Sequence, residues 1–157
     1  MAQLSNFTGI FSGDTTVIDT TQKHKFNTRA YDVDGNEYLY VKGITSGALG
    51  RWVTFDENGV TALLLNDAVG PVGVMMSVLD ADTDFGWICI FGECEASMKD
   101  GATTDLRIGY KTTSGYADDT PGAGDTIYRA VLRDTISGGD GNGTVQIFYP
   151  FVDDNSN

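Results

Sequence analysis

The residues with the widest chemical reach are few in this chain. One histidine, His24, stands between Lys23 and Lys25, whereas a Ser or Cys nucleophile needs an imidazole oriented by a buried acid. The flanking lysines read instead as a solvated basic patch. Cys89 and Cys94 lie five residues apart in a segment that alternates as one strand, and an odd spacing sends side chains to opposite sheet faces. That predicts no disulfide between them. Neither has a His or Lys beside it in sequence to lower its pKa, so both read as small apolar core groups in a reducing compartment.

The acids offer two calcium-like patterns, Asp80, Asp82, Asp84 and Asp32-Val33-Asp34-Gly35-Asn36. An EF-hand loop needs Glu at its twelfth position, which here is Phe91 counted from Asp80 and Gly43 counted from Asp32. Both therefore read as acidic, exposed turns. A glycosidase needs two opposed carboxyl groups, and no pair stands out. The aromatics Trp52, Trp87, Tyr110 and Tyr116 have the types of a sugar-binding platform, although strand aromatics more often fill a core or an interface. No Gly-x-Ser-x-Gly, HExxH, Walker or GxGxxG pattern occurs. The reading is of a non-enzyme, with no catalytic residue, cofactor or metal ligand assigned.

The elements that must position these residues are strands. The chain has 157 residues, with 8 Phe, 7 Tyr, 2 Trp and 20 Gly, a balance of strand formers and sharp turns. Its formal charge of −12 repels nucleic-acid backbones and anionic lipid headgroups alike, so neither is expected as a partner. The start, Met1-Ala2-Gln3-Leu4-Ser5-Asn6, lacks the basic and apolar regions of a signal peptide, and no apolar run reaches membrane-spanning length. Synthesis in a cytoplasm follows as an expectation.

Along the chain, residues 1–27 read as an amino-terminal arm with one short strand, residues 28–152 as the β-domain and residues 153–157 as a loose polar tail. Thr28–Val33 and Glu37–Ile44 flank the Asp34-Gly35 turn, and Arg51–Asp56 and Val60–Leu65 flank Glu57-Asn58-Gly59, two hairpin signatures. In the second strand, alternation puts Tyr38, Tyr40 and Lys42 on one face and Leu39 and Val41 on the other, which is read as the core face. Val72–Leu79, Phe85–Cys94, Thr104–Tyr110, Thr126–Asp134 and Thr144–Val152 complete the series, and Gly86 and Gly92 mark bends or close backbone approach. Leu63–Ala68 and Ala96–Lys99 have room for one helical turn each. The expectation is an all-β fold, a single antiparallel barrel or sandwich of about eight or nine strands.

Three blocks carry a family likeness. They are Asp34-Gly35-Asn36-Glu37-Tyr38-Leu39-Tyr40-Val41-Lys42-Gly43, then Gly50-Arg51-Trp52-Val53-Thr54-Phe55, then Val69–Met76 running on to Phe85–Gly92. Across about residues 32–96 the chain resembles head decoration or cement proteins of tailed bacteriophages, small all-β proteins that bind the outside of the capsid shell. The resemblance implies a structural virion protein at the capsid surface, with the major capsid protein as partner and a homo-oligomer, a trimer by preference. The apolar residues Phe7, Ile10 and Phe11 of the arm are the expected partner contacts, because a segment without periodicity can order on a partner. The alternative is a carbohydrate- or receptor-binding module of a phage fibre or tail, for which an exposed row of Trp and Tyr is the distinguishing feature.

Overall fold

Two five-residue turns start from the same chemistry. In Asp32-Val33-Asp34-Gly35-Asn36, Asp32 Oδ1 accepts the backbone N–H of Asp34 and of Asn36, each at 2.9 Å. Its Oδ2 accepts Asn36 Nδ2 at 2.8 Å and the Tyr38 hydroxyl at 2.7 Å. In Asp56-Glu57-Asn58-Gly59-Val60, Asp56 Oδ1 accepts the N–H of Asn58 and of Val60, again at 2.9 Å each. Gly35 and Gly59 take the left-handed position, at φ 87° and 70°, which only glycine adopts freely. Asp32 is thus occupied in fixing a hairpin. Burial pushes its carboxyl up, but the Tyr38 and Asn36 hydrogen bonds outweigh this and hold it below the usual range.

The computed structural model describes residues 13–154. These residues form nine strands and no helix: β1 (Arg29–Tyr31), β2 (Glu37–Lys42), β3 (Trp52–Phe55), β4 (Thr61–Leu63), β5 (Gly70–Met75), β6 (Phe85–Met98), β7 (Arg107–Gly109), β8 (Thr126–Leu132) and β9 (Gly141–Val152). All pair antiparallel in one sheet, in the order β1-β2-β6-β5-β9-β8-β7, with β3 joined to β5 and β4 to β3. The sheet curls into a half-barrel, as an all-β reading of the sequence expects. Ala96–Met98, with room for a helical turn by sequence, continue β6 instead, paired with Gly143–Gly141 of β9.

The long strands β6 and β9 hold the sheet together. Residues 85–91 of β6 pair with β2, whereas residues 91–98 pair with β9. β9 then leaves β6 after Phe148 and pairs Phe151 and Val152 with Pro71 and Gly70 of β5. A fork opens where β9 diverges. Bulges mark the same line. Gly92 on β6, Tyr149 on β9 and Arg129 on β8 have φ of 100°, 51° and 63°.

These bulges invert the inside-outside alternation. Cys89 and Cys94, Ile147 and Val152, and Ile127 and Ala130 are odd-spaced pairs, yet each pair points into one core. The two thiols therefore share a face, contrary to the spacing argument, because the register slips at Ile90–Phe91, just before the left-handed Gly92, and adds a residue to the count. Both are buried and free.

The sheet has a core on each side. Tyr38, Tyr40, Trp52, Val74, Trp87 and the inward residues of β8 and β9 form the larger one. Leu39, Val41, Val53, Met75, Leu79, Ile88 and Ile90 form the smaller. So β2 buries both faces, and Tyr40 is as fully buried as Val41; the alternation gives the two sets correctly but not the burial of the tyrosines. Complete burial of each large apolar chain contributes roughly 1.5–3 kcal/mol.

Of the amino-terminal segment, the described part makes no named strand. It contributes one bridge, Asp19 with Phe85. Asp19 is buried, accepts the Tyr40 hydroxyl at 2.8 Å and pairs with Lys23 Nζ at 2.5 Å. Phe26 packs against the larger core.

Candidate interaction surface

The residues singled out for chemistry separate in space. His24 is half-buried, not solvated: its ring meets Tyr40 edge-on at 5.0 Å and Trp87 at 5.4 Å. Asp82 pairs with Lys42 at 3.7 Å, and among the described residues no three His, Cys, Asp or Glu side chains converge as a metal site would require. Trp52 and Trp87 are buried. Tyr110 packs against the larger core, and Tyr116 lies under the Arg51 guanidinium at 3.9 Å. The four do not form a platform. Phe7, Ile10 and Phe11 lie outside the described residues.

The exposed aromatics are others. Tyr128, Phe148, Tyr149 and Phe151 are each 42–46% exposed. The bulges produce this row directly. A regular strand alternates, so of two successive residues one points inward. At each bulge two successive residues point away from the core instead: Tyr128 and Arg129 on β8, Phe148 and Tyr149 on β9. Phe91, beside the Gly92 bulge, joins them, with its ring edge-on to Phe148 at 5.3 Å and 5.2 Å from Tyr149.

The Tyr149 ring is fixed from behind. Its hydroxyl donates to Glu37 Oε1 at 2.7 Å, Arg29 Nη1 donates to Glu37 Oε2 at 2.9 Å, and the Arg29 guanidinium lies 5.5 Å from the ring centre. The Glu37 carboxylate raises the Tyr149 hydroxyl pKa, with burial adding to the effect. The ring therefore stays protonated at physiological pH, as a hydrogen-bond donor on an apolar face.

Two grooves flank this wall. One, of about 290 Å³, lies at the fork of β5, β6 and β9, with Leu39, Phe55, Val72 and Ile90 among its lining residues, Arg29 and Pro71 beside them and Tyr149 and Phe151 along its wall. The other, of about 460 Å³, lies between Tyr128, Arg129, Tyr149, Phe151 and Asp153. Sequence alone carries one signal for this surface. Pro150 sits inside a run that otherwise reads as a strand, and a strand proline marks an edge or a bulge. Nothing comparable marks Arg129. Compared with known proteins, the chain matches no family model, no curated protein and no solved structure.

Proposed function

We propose that the protein is a non-enzymatic structural component of a bacteriophage particle, that it binds and stabilises the outer surface of the capsid shell, and that the exposed aromatic row of β8 and β9 is its binding face. The observation that carries this reading is the row itself. Four large rings left 42–46% exposed on a chain of charge −12 form the kind of contiguous apolar patch that marks an interaction site. The Arg and aromatic composition is that of a protein interface core. The family resemblance supplies the particle and the major capsid protein as partner.

The short edges support the same emphasis. β1, β4 and β7 are three residues each, so little open edge needs covering by neighbours. A trimer on the shell remains part of the proposal on the strength of the resemblance. The distinguishing feature of the saccharide alternative is met only in part, since the exposed row holds Tyr128 and Tyr149 while both Trp side chains are buried. Mass spectrometry of purified particles tests the reading, with the protein expected as a stoichiometric component. Adding it to bare shells should raise their rupture temperature, and full occupancy with unchanged rupture would remove the stabilising role.

A further inference from the structure

We infer that this face is a two-pronged docking site for a protein partner, in which the fork groove takes one large apolar side chain and Arg129 takes a carboxylate beside it. The inference rests on the shell-binding reading and names the chemistry that the shell must present.

Arg129 has a φ of 63°, a strain for an L-residue that glycine escapes. The comparable bulge on β6 does use glycine, Gly92. At β8 the strained position holds an exposed arginine between Tyr128 and the Tyr149–Phe151 wall.

Six of the ten Lys and Arg side chains are ion-paired, namely Lys23, Arg29, Lys42, Lys99, Lys111 and Arg133. Arg129 forms no ion pair among the described residues, Asp153 in the same groove included. Lys25, Arg51 and Arg107 are in no ion pair among the described residues either, but of these four unpaired cations Arg129 is the one set in the aromatic groove. A guanidinium offers a planar fork of donors that a carboxylate matches at two points. Set among apolar rings, it selects an anionic group from the partner.

The geometry of the two grooves adds the second prong. They share Tyr149 and Phe151 as a common wall. At about 290 Å³ the fork groove is at the lower limit of small-molecule sites, a size suited to one side chain. On an extended segment, residues i and i+2 point the same way about 6.5–7 Å apart, so an apolar residue and an acid so spaced would straddle the wall. The Glu37 hydrogen bond and Arg29 hold the Tyr149 ring in place beforehand, which lowers the ordering cost of binding.

A second copy of this chain is the weaker occupant. Two copies of charge −12 repel.

The test uses shells stripped of this protein and re-decorated with wild type, Arg129→Gly, Arg129→Lys and, as a control on β7, Arg107→Ala. Occupancy is titrated and the melting temperature of each free protein is recorded. Arg129→Gly should melt no lower than wild type, because it relieves the strain, yet bind at least tenfold more weakly. Arg129→Lys should fall between, and Arg107→Ala should match wild type. If wild type binds and Arg129→Gly binds within twofold of it, the docking inference fails while shell binding stands. If wild type does not bind, the shell reading itself fails. If wild type self-associates in sedimentation and Arg129→Gly abolishes that as well as binding, the occupant is a second copy and the inference is overturned.

Discussion

Substituting Gly92 by Ala tests the bulge that sets the faces of β6. A Cβ there would lie 1.9 Å from Asn36 Oδ1, 2.8 Å from its Cγ and 3.0 Å from its Cα. Asn36 Oδ1 is the acceptor for the Glu93 N–H at 2.9 Å. The backbone stands at φ 100°, which costs alanine roughly 1–2 kcal/mol. Displacing Asn36 leaves the Glu93 N–H without its acceptor, roughly another 1 kcal/mol, and the contact with the Asn36 backbone adds about 1–2 kcal/mol of overpacking. The total is roughly 3–5 kcal/mol, a large part of the 5–15 kcal/mol that holds a typical domain. Gly35→Ala is the matched control, because its φ is 87° with nothing within 4 Å of the added Cβ; it should cost only the backbone strain of about 1–2 kcal/mol. Urea unfolding of both variants gives the comparison. If their losses agree within about 0.5 kcal/mol, a spread typical of mild surface changes, the packing of Asn36 against the bulge is not what fixes this strand.

Asp125 is buried and accepts the Asp67 N–H at 3.0 Å; burial pushes its carboxyl up, and the Asp67 and Asp154 carboxylates push the same way. A raised folded-state pKa gives stability that is fully present below the unfolded value and lost as pH rises through the folded one. Asp125→Asn should therefore melt higher than wild type at pH 7 and converge with it below about pH 4; an equal gap at both pH values would refute the assignment. Cys89 and Cys94 are buried, and hydrogen bonding to Cys89, reinforced by burial, pushes the Cys94 thiol well up, so an aromatic disulfide reagent should find no reactive thiol in the native protein and two after unfolding. Deleting residues 1–12, a segment whose sequence lacks the periodicity of a core element, should leave the melting temperature within a few degrees of wild type and should lower shell occupancy; unchanged occupancy would remove Phe7, Ile10 and Phe11 from the contact.

The turns were legible in the sequence because their chemistry is local. Asp34-Gly35 and Asn58-Gly59 mark the two hairpins, and the strands between turns follow from alternation, whereas the part of Asp32 and Asp56 in fixing the turns shows only in their hydrogen bonds. Gly92 was legible as a bend. The register slip beside it, at Ile90–Phe91, was not, and one extra residue inverts which face every later side chain of β6 occupies, Cys94 included. The burial of Tyr38 and Tyr40 depends on layers brought from distant parts of the chain, which no window of β2 contains. Most of the aromatic surface escaped for the same reason. Arg129 and Tyr149 adopt a left-handed conformation that their residue types disfavour, so pattern alone assigns one of each outward pair to the interior.

The position of β9 bears on how the molecule is made. It comes last in sequence among the named strands, yet it lies inside the sheet, paired with β5, β6 and β8. On a ribosome, residues 91–98 of β6 would emerge without their β9 partner, and β8 would lack its β9 pairings until residues 141–152 follow, although the segment between β7 and β8 already reaches back to β6 and β3 through the Met98–Ala117 bridge and the Trp52–Gly115 hydrogen bond. Pairings this distant along the chain close slowly, and an open edge such as that of β6 invites association between incomplete chains. Synthesis that stalls before β9 should therefore yield aggregates, not a smaller folded domain.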